Sequence, residues 1–141
     1  MTMCLVLVGL FAITASWASS VGRLKAEIPF AFFVGGKQLP AGEYVISSNE
    51  RVRSLAIQQI DGAEFVRVLA QPAPNFGGRE GNFLSFRKYG TTYFLGAVHS
   101  VETPVSGLLL KSRQEKIIAS EMAKANGENR HAQVRLAVNA E

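Results

Sequence analysis

Residues 54–70 read SLAIQQIDGAEFVRVLA, and this stretch decides the fold class of the chain. On either side of Asp61-Gly62, apolar and polar side chains alternate, as they do in a strand with one buried face. An Asp-Gly pair tolerates the positive φ angles of a type I′ turn, which joins two antiparallel strands. The stretch therefore predicts a β-hairpin whose strands are residues 54–60 and 64–70.

Further strand-like segments lie on both sides of this hairpin. They are rich in Phe, Tyr, Val and Ile, and they are bounded by Gly, Pro or Asn. They comprise residues 25–34, 43–48, 82–89, 91–100 and 133–138. Because Pro29 cannot donate a ladder hydrogen bond, the first of them is predicted to be an edge strand or to be bulged there. Gly90 is predicted to turn a second hairpin.

The pattern changes to that of a helix after residue 110. Ser112-Arg113-Gln114-Glu115 matches a capping box, in which the Ser hydroxyl and the Glu carboxylate satisfy backbone N–H groups reciprocally. Apolar Ile118 and Met122 follow at helical spacing, and Asn126-Gly127 is a C-terminal stop signal. One amphipathic helix from about residue 113 to 125 is therefore predicted.

These elements predict a mainly β fold. Six to seven short strands with hairpin signals indicate an antiparallel β-sandwich or a small β-barrel, with one C-terminal α-helix. Periodicity leaves sandwich and barrel open as alternatives. A length of 141 residues, with 48% hydrophobic and 18% charged residues, suits a single domain with its own core.

Residues 1–20 are predicted to be a signal peptide. No charged side chain precedes Arg23, and residues 4–13 read CLVLVGLFAI, an apolar run of signal-peptide length. Small residues that follow this run suit cleavage after about residue 18 or 20. An uncleaved anchor is the alternative, since about 20 apolar residues span a bilayer. We therefore expect export to the periplasm or the extracellular space, a single β-rich domain over residues 21–141, and no stable membrane span after leader removal.

The stretch AEIPFAFFVGGKQLPAGEYVI, residues 26–46, resembles the opening of an uncharacterised family of small exported bacterial proteins. That family shares an IPF-F-V-GGK-LPAG-Y block directly after a signal peptide. The segment YGTTYFL, residues 89–95, and the basic segment Lys111-Ser112-Arg113 before a helix are similar to that family as well. The resemblance implies export and an all-β domain, and it implies no activity.

Composition argues against several classes of enzyme. The lone Cys, Cys4, falls in the leader, and the sole Asp, Asp61, is assigned to a turn. A Ser-His-Asp triad needs a carboxylate beside its imidazole, and no G-x-S-x-G elbow occurs. His99 and His131 lack the paired spacing of zinc ligands, so neither a metal site nor a cofactor is predicted. A net charge of +4 is small for a nucleic-acid footprint, and no nucleic-acid partner is expected.

Three functions stay open on the sequence alone. A non-catalytic binding or surface-interaction β-domain is favoured, with an envelope or extracellular component as its partner: a glycan, a peptide or a small apolar ligand. A β-barrel carrier of a small apolar ligand is the first alternative. The second is a hydrolase with dispersed carboxylates. The candidate carboxylates are Glu43, Glu64, Glu80 and Glu102.

Two sets of residues are candidate contact sites. Phe76 and Arg79 lie in a Gly- and Pro-rich loop, and a rigid β scaffold usually carries recognition on such loops. The second set lies at the start of the predicted helix, where Ser112 is the cap and Lys111 and Arg113 are its neighbours. Unpaired N–H groups at this end of a helix attract an anion. Cations at this end oppose the helix dipole, and a broken local rule of this kind can mark function.

Overall fold

The computed structural model describes residues 22–72, 81–127 and 131–140, so the predicted leader lies outside the described residues. In these ranges the chain forms eleven strands and one helix. Seven of the strands have five or more residues, which agrees with the predicted six to seven, and the others are short. The elements are β1 (Arg23–Ile28), β2 (Phe32–Val34), β3 (Lys37–Leu39), β4 (Gly42–Asn49), β5 (Ser54–Gln59), β6 (Phe65–Leu69), β7 (Phe83–Tyr89), β8 (Thr92–His99), β9 (Gly107–Leu108), α1 (Arg113–Asn126), β10 (Ala132–Ala137) and β11 (Asn139–Ala140).

The strands form a sandwich of two sheets. Sheet A has the order β11-β1-β4-β5-β6, and sheet B has the order β10-β7-β8-β2-β3, with β9 paired to β8. Two sheets with separate edge strands make a sandwich and not a closed barrel, which decides between the two predicted architectures. One pairing departs from the antiparallel pattern, because β2 runs parallel to β8 where Phe33 pairs with Phe94.

The chain changes sheet inside the stretch that was predicted to be a single strand, residues 25–34. β1 ends at Ile28 in sheet A, and β2 begins at Phe32 in sheet B. Pro29 lies at the crossing, where its lack of an N–H costs no ladder hydrogen bond. The prediction of one continuous strand is therefore wrong, and the irregularity predicted at Pro29 is the crossing between the sheets.

The main core fills the space between the two sheets. Phe86 of β7 lies edge-on to Phe30 and Phe32, with ring centroids 5.1 and 5.6 Å apart. Aromatic pairs favour this edge-to-face geometry. The buried aliphatic residues around these rings come from both sheets: Leu24, Ile28, Val34, Leu39, Ile46, Leu55, Ile57, Leu84, Leu95 and Val98.

The GGK-LPAG-Y part of the sequence builds one corner of the sandwich. Gly35, in the turn between β2 and β3, has φ +57°, and a Cβ there would lie 2.6 Å from Val68 Cγ1 of β6. Glycine satisfies both the left-handed backbone and the close approach. Tyr44 is fully buried, and its hydroxyl donates to the Pro40 carbonyl at 2.5 Å. This block is therefore explained by packing between the sheets.

The hairpin predicted from residues 54–70 is present as β5 and β6, but its turn differs from the prediction. The loop covers residues 60–64, and neither Asp61 nor Gly62 adopts a positive φ, so the predicted type I′ turn is wrong. The Ile60 N–H donates to the Glu43 carbonyl at 2.9 Å. This bond holds Ile60 beside β4 and widens the loop beyond two residues.

The second predicted hairpin and the last predicted strand are also present. β7 and β8 pair around Gly90, which has φ +61°. β10 pairs with β7 over residues 132–137. Helix α1 covers the face of sheet B that points away from sheet A, and a second small core forms there. Its members are Phe33, Tyr89, Phe94, Ile118, Ala119 and Met122.

The carboxylate of Glu115 is buried between α1 and sheet B. Glu115 is 1% exposed, and its oxygens accept hydrogen bonds from Arg87 Nε at 2.5 Å, from Arg87 Nη2 at 2.9 Å and from the Tyr89 hydroxyl at 3.0 Å. The Ser112 half of the predicted capping box is confirmed, since Ser112 Oγ accepts from the Glu115 N–H at 3.2 Å. The Glu115 half is wrong, because the carboxylate neutralises the guanidinium of Arg87 instead of returning to the cap.

Arg87 reaches this position because Gly96 of β8, which lies against its guanidinium, has no side chain. A Cβ on Gly96 would lie 2.8 Å from Arg87 Nη1. The same nitrogen donates to the Leu109 carbonyl at 3.3 Å. Gly96 therefore makes room for an arginine that lies across sheet B and joins it to α1 and to the chain that precedes the helix.

Candidate binding surface

The candidate site lies on the outer face of sheet A, the face that points away from the core. No element within the ranges that the structure describes covers this face. The strand register places Arg23, Ser47, Ala56 and Arg67 side by side on β1, β4, β5 and β6. Small side chains therefore occupy the two middle strands, and long basic side chains occupy the two flanking strands. This difference in size forms a depression, which we call the outer-face groove.

The outer-face groove consists of two open depressions of about 610 and 380 Å³. They share Ser47, Ala56 and Arg67. The larger one extends to the β4–β5 turn, and the smaller one extends to Arg23 and Phe65. Each has a volume within the range of roughly 300–1,000 Å³ that is usual for ligand sites.

Basic side chains dominate the charge of the groove. Arg51 and Arg67 line the larger depression, and Arg23 and Arg67 line the smaller one. Among the described residues of the lining, Glu50 is the one acid. The guanidinium of Arg67 lies 5.9 Å from the ring centroid of Phe65. Within the described part of the chain these arginines form no ion pair, so the groove presents positive charge to solvent.

The carboxylates considered for hydrolysis have other partners. Glu43 and Glu64 form ion pairs with lysines at 3.8 and 2.8 Å, and Glu102 accepts a hydrogen bond from a side-chain amide at 2.9 Å. Glu80 lies outside the described residues. The register sets Glu27 opposite Glu43, on an open sheet face and beside a lysine. None of these positions gives two carboxylates that flank a cleft.

None of the contact residues predicted from sequence belongs to the described lining of the outer-face groove. Phe76 and Arg79 fall outside the described residues. Lys111 and Arg113 are exposed at the start of α1, where Ser112 and Arg113 border an open depression of about 560 Å³. The Ser112 hydroxyl already accepts from a helix N–H, so an anion there would meet two cations and the remaining N–H groups. This anion site stays a prediction.

The described residues hold no group of three or more His, Cys, Asp or Glu side chains placed to bind a metal ion. No helix in the same ranges has both the length and the apolar character that crossing a membrane requires. Comparisons with family models, with curated proteins and with solved structures found no match.

Proposed function

We propose that this protein is an exported, non-catalytic binding domain and that the outer-face groove is its ligand site. The observation that carries the proposal is the groove itself. An antiparallel sheet with one solvated face needs only polar side chains on that face. Here the middle strands carry Ser47 and Ala56 between Arg23 and Arg67, which leaves a recess flanked by unneutralised charge. A concave surface of this kind suits binding from solution.

Packing weighs against the two alternatives. A carrier needs an internal cavity, whereas the space between the sheets holds aromatic rings in contact, such as Phe30 with Phe86 and Phe32 with Tyr44. A hydrolase of the dispersed-carboxylate type needs two carboxylates across a cleft. Glu43 and Glu64 each lie beside a lysine instead. The proposed partner is an envelope or extracellular component.

Export is the part of this proposal that rests on the sequence alone. The apolar run before Arg23 and the resemblance of residues 26–46 to exported bacterial proteins support it. We expect protein recovered from the envelope or medium of the native host to lack the first 18 to 20 residues or thereabouts. Intact-mass measurement tests this expectation. A mass that includes residues 1–18 would contradict it.

A side chain that fills the outer-face groove is expected to abolish binding. Ala56 is half-buried in the floor of the groove, and Ala56→Tyr places a ring there without touching the core between the sheets. Cosedimentation with the insoluble envelope fraction of the native host is the measurement. Wild-type protein should cosediment, and Ala56→Tyr should stay in the supernatant.

The matched control is Ala137→Tyr, the same substitution at an exposed position on β10 of the other sheet. It should cosediment like the wild type. Equal cosedimentation of Ala56→Tyr would remove the groove from the proposal.

The non-catalytic part of the proposal is tested separately. Turnover of an ester, glycoside or phosphate substrate by purified protein, abolished by one Glu or His substitution, would overturn it.

A further inference from the structure

We propose that the outer-face groove binds an acidic polysaccharide, one with carboxylate groups on a hydroxyl-rich chain. This inference rests on the proposed function and names the chemical class of its ligand. Four properties of the groove carry it: polar side chains in its lining, an elongated open shape and, within the described residues, a buried hydroxyl without a partner and arginines without a countercharge.

Ser54 is the first indication of a polar ligand. It is 5% exposed, and its Oγ has no hydrogen-bond partner in the part of the chain that the structure describes. Ser54 is one of the residues that line the larger depression. Burial of a hydroxyl without a partner is unfavourable, and buried polar groups in folded proteins are nearly always hydrogen-bonded. Rotation of the Ser54 side chain toward the larger depression would let a ligand hydroxyl supply the missing partner.

The rest of the larger depression is polar as well. Ser47, Ser48 and Asn49 line it together with Ser54, and Ala56 is the one apolar residue among the described lining. The Asn49 Oδ1 already accepts from two N–H groups of the β4–β5 turn, at 3.1 and 3.4 Å. Its amide nitrogen is left to donate. Hydroxyl and amide groups of this kind pair with sugar hydroxyls and have no counterpart on an apolar ligand.

The charge of the groove selects an anion. The described lining of its two depressions contains three basic side chains, Arg51, Arg67 and Arg23, and one acidic side chain, Glu50. A guanidinium is a planar donor that bonds a carboxylate in a bidentate manner. Arg67 lies between the two depressions and belongs to both linings, so it is the central anchor for a carboxylate.

The shape of the groove fits a chain better than a single small molecule. Its two depressions follow each other along β5, from Ser54 to Gln59, a length of roughly 17 Å at about 3.3 Å per residue. The two depressions join over Ser47 and Ala56, so one extended ligand can fill both. Phe65, 47% exposed at the smaller depression, offers a ring face to the apolar side of a sugar.

Isothermal titration of the purified protein with three polymers tests the ligand class. Polygalacturonate carries both carboxylates and hydroxyls, its methyl ester lacks the charge, and poly-glutamate lacks the hydroxyls. We expect measurable binding of polygalacturonate, and binding of the other two that is about tenfold weaker or absent. Equal binding of poly-glutamate would make the ligand an acidic peptide, and equal binding of the ester would remove the role of charge. Either result overturns the proposal.

Charge-matched variants locate the site. Arg67→Gln should weaken polygalacturonate binding about tenfold, which is the loss of one charge-assisted hydrogen-bonded pair. Lys124→Gln removes an equal charge at an exposed position in the last turn of α1, in the layer that covers sheet B, and should bind like the wild type. Equal losses for the two variants would mean that only net charge matters, and would overturn the groove as the site.

Ser54→Ala separates a ligand contact from a structural role. The variant removes a buried hydroxyl that has no partner in the described protein, so its thermal stability should equal or exceed that of the wild type. Its affinity for polygalacturonate should fall by about threefold or more. Lower stability with unchanged affinity would overturn the proposed contact.

If no polymer binds while the envelope fraction still retains the wild type and loses Ala56→Tyr, the ligand class fails and the proposed function stands.

Discussion

Glu115→Gln is expected to lower the free energy of unfolding by about 3–5 kcal/mol. The variant keeps the shape of the side chain and removes its charge. The guanidinium of Arg87, whose side chain is 16% exposed, is then left in the interface between α1 and sheet B without a countercharge. Removal of one partner of a buried ion pair destabilises the fold by more than the net stabilisation that the intact pair provides, because the remaining charge stays desolvated. Urea denaturation followed by circular dichroism measures the change.

Two further variants separate this effect from others. Glu121→Gln makes the same substitution at an exposed position of α1 and should change stability by less than about 0.5 kcal/mol. Arg87→Met combined with Glu115→Leu removes both charges, and it should be closer in stability to the wild type than Glu115→Gln is, because apolar replacements of a buried pair are often neutral. A loss below about 1 kcal/mol for Glu115→Gln would contradict the importance of the buried charge.

The sequence predicts those elements of this fold whose signals are local. Alternating side chains and β-branched or aromatic composition identify β5, β6, β7 and β8, and Gly90 marks a turn that needs a positive φ. The helix is bounded correctly because Ser112 and Gly127 act through groups within one turn of it. The crossing at Pro29 was not predicted, since a strand that ends and one that changes sheet look alike in a single sequence. The loop at Asp61 depends on a hydrogen bond that Ile60 donates to the Glu43 carbonyl of β4, and no local pattern contains that partner.

The groove was not predicted because it depends on contacts between distant segments and not on local signals. Arg23, Ser47, Ala56 and Arg67 are neighbours only through the register of four strands. Small residues at outward positions of adjacent strands would have been the signal, but that signal requires the strand order. Because Glu115 lies three residues after Ser112, the sequence predicts a role for its side chain in the cap. Its carboxylate is buried because the fold places Arg87 beneath the helix.

Stability is expected to fall between about pH 10 and pH 12, and Tyr89 is expected to cause part of that loss. Burial raises the pKa of Tyr89 to about 12, and the negative charge of Glu115 and its hydrogen bond with the hydroxyl act in the same direction, while Arg87 opposes them. Below pH 10 the phenol is protonated in the folded and unfolded chains, so its stabilisation is fully present. Between the two pKa values the unfolded chain releases the proton and the folded chain retains it, which favours unfolding.

The loss attributable to Tyr89 is at most about 3 kcal/mol, the equivalent of two pKa units. Denaturation curves from about pH 9 to pH 12 measure it for the wild type and for Tyr89→Phe. The variant should be less stable at neutral pH, because Glu115 loses a hydrogen bond, and its stability should decline less steeply above pH 10. Burial also raises the pKa of Tyr44, so Tyr44→Phe serves as the parallel measurement and should flatten the decline separately. If stability declined equally steeply above pH 10 in the wild type and in Tyr89→Phe, the pKa of Tyr89 would not be raised by folding. The hydrogen bond between Tyr89 and Glu115 would then be weaker than its geometry indicates.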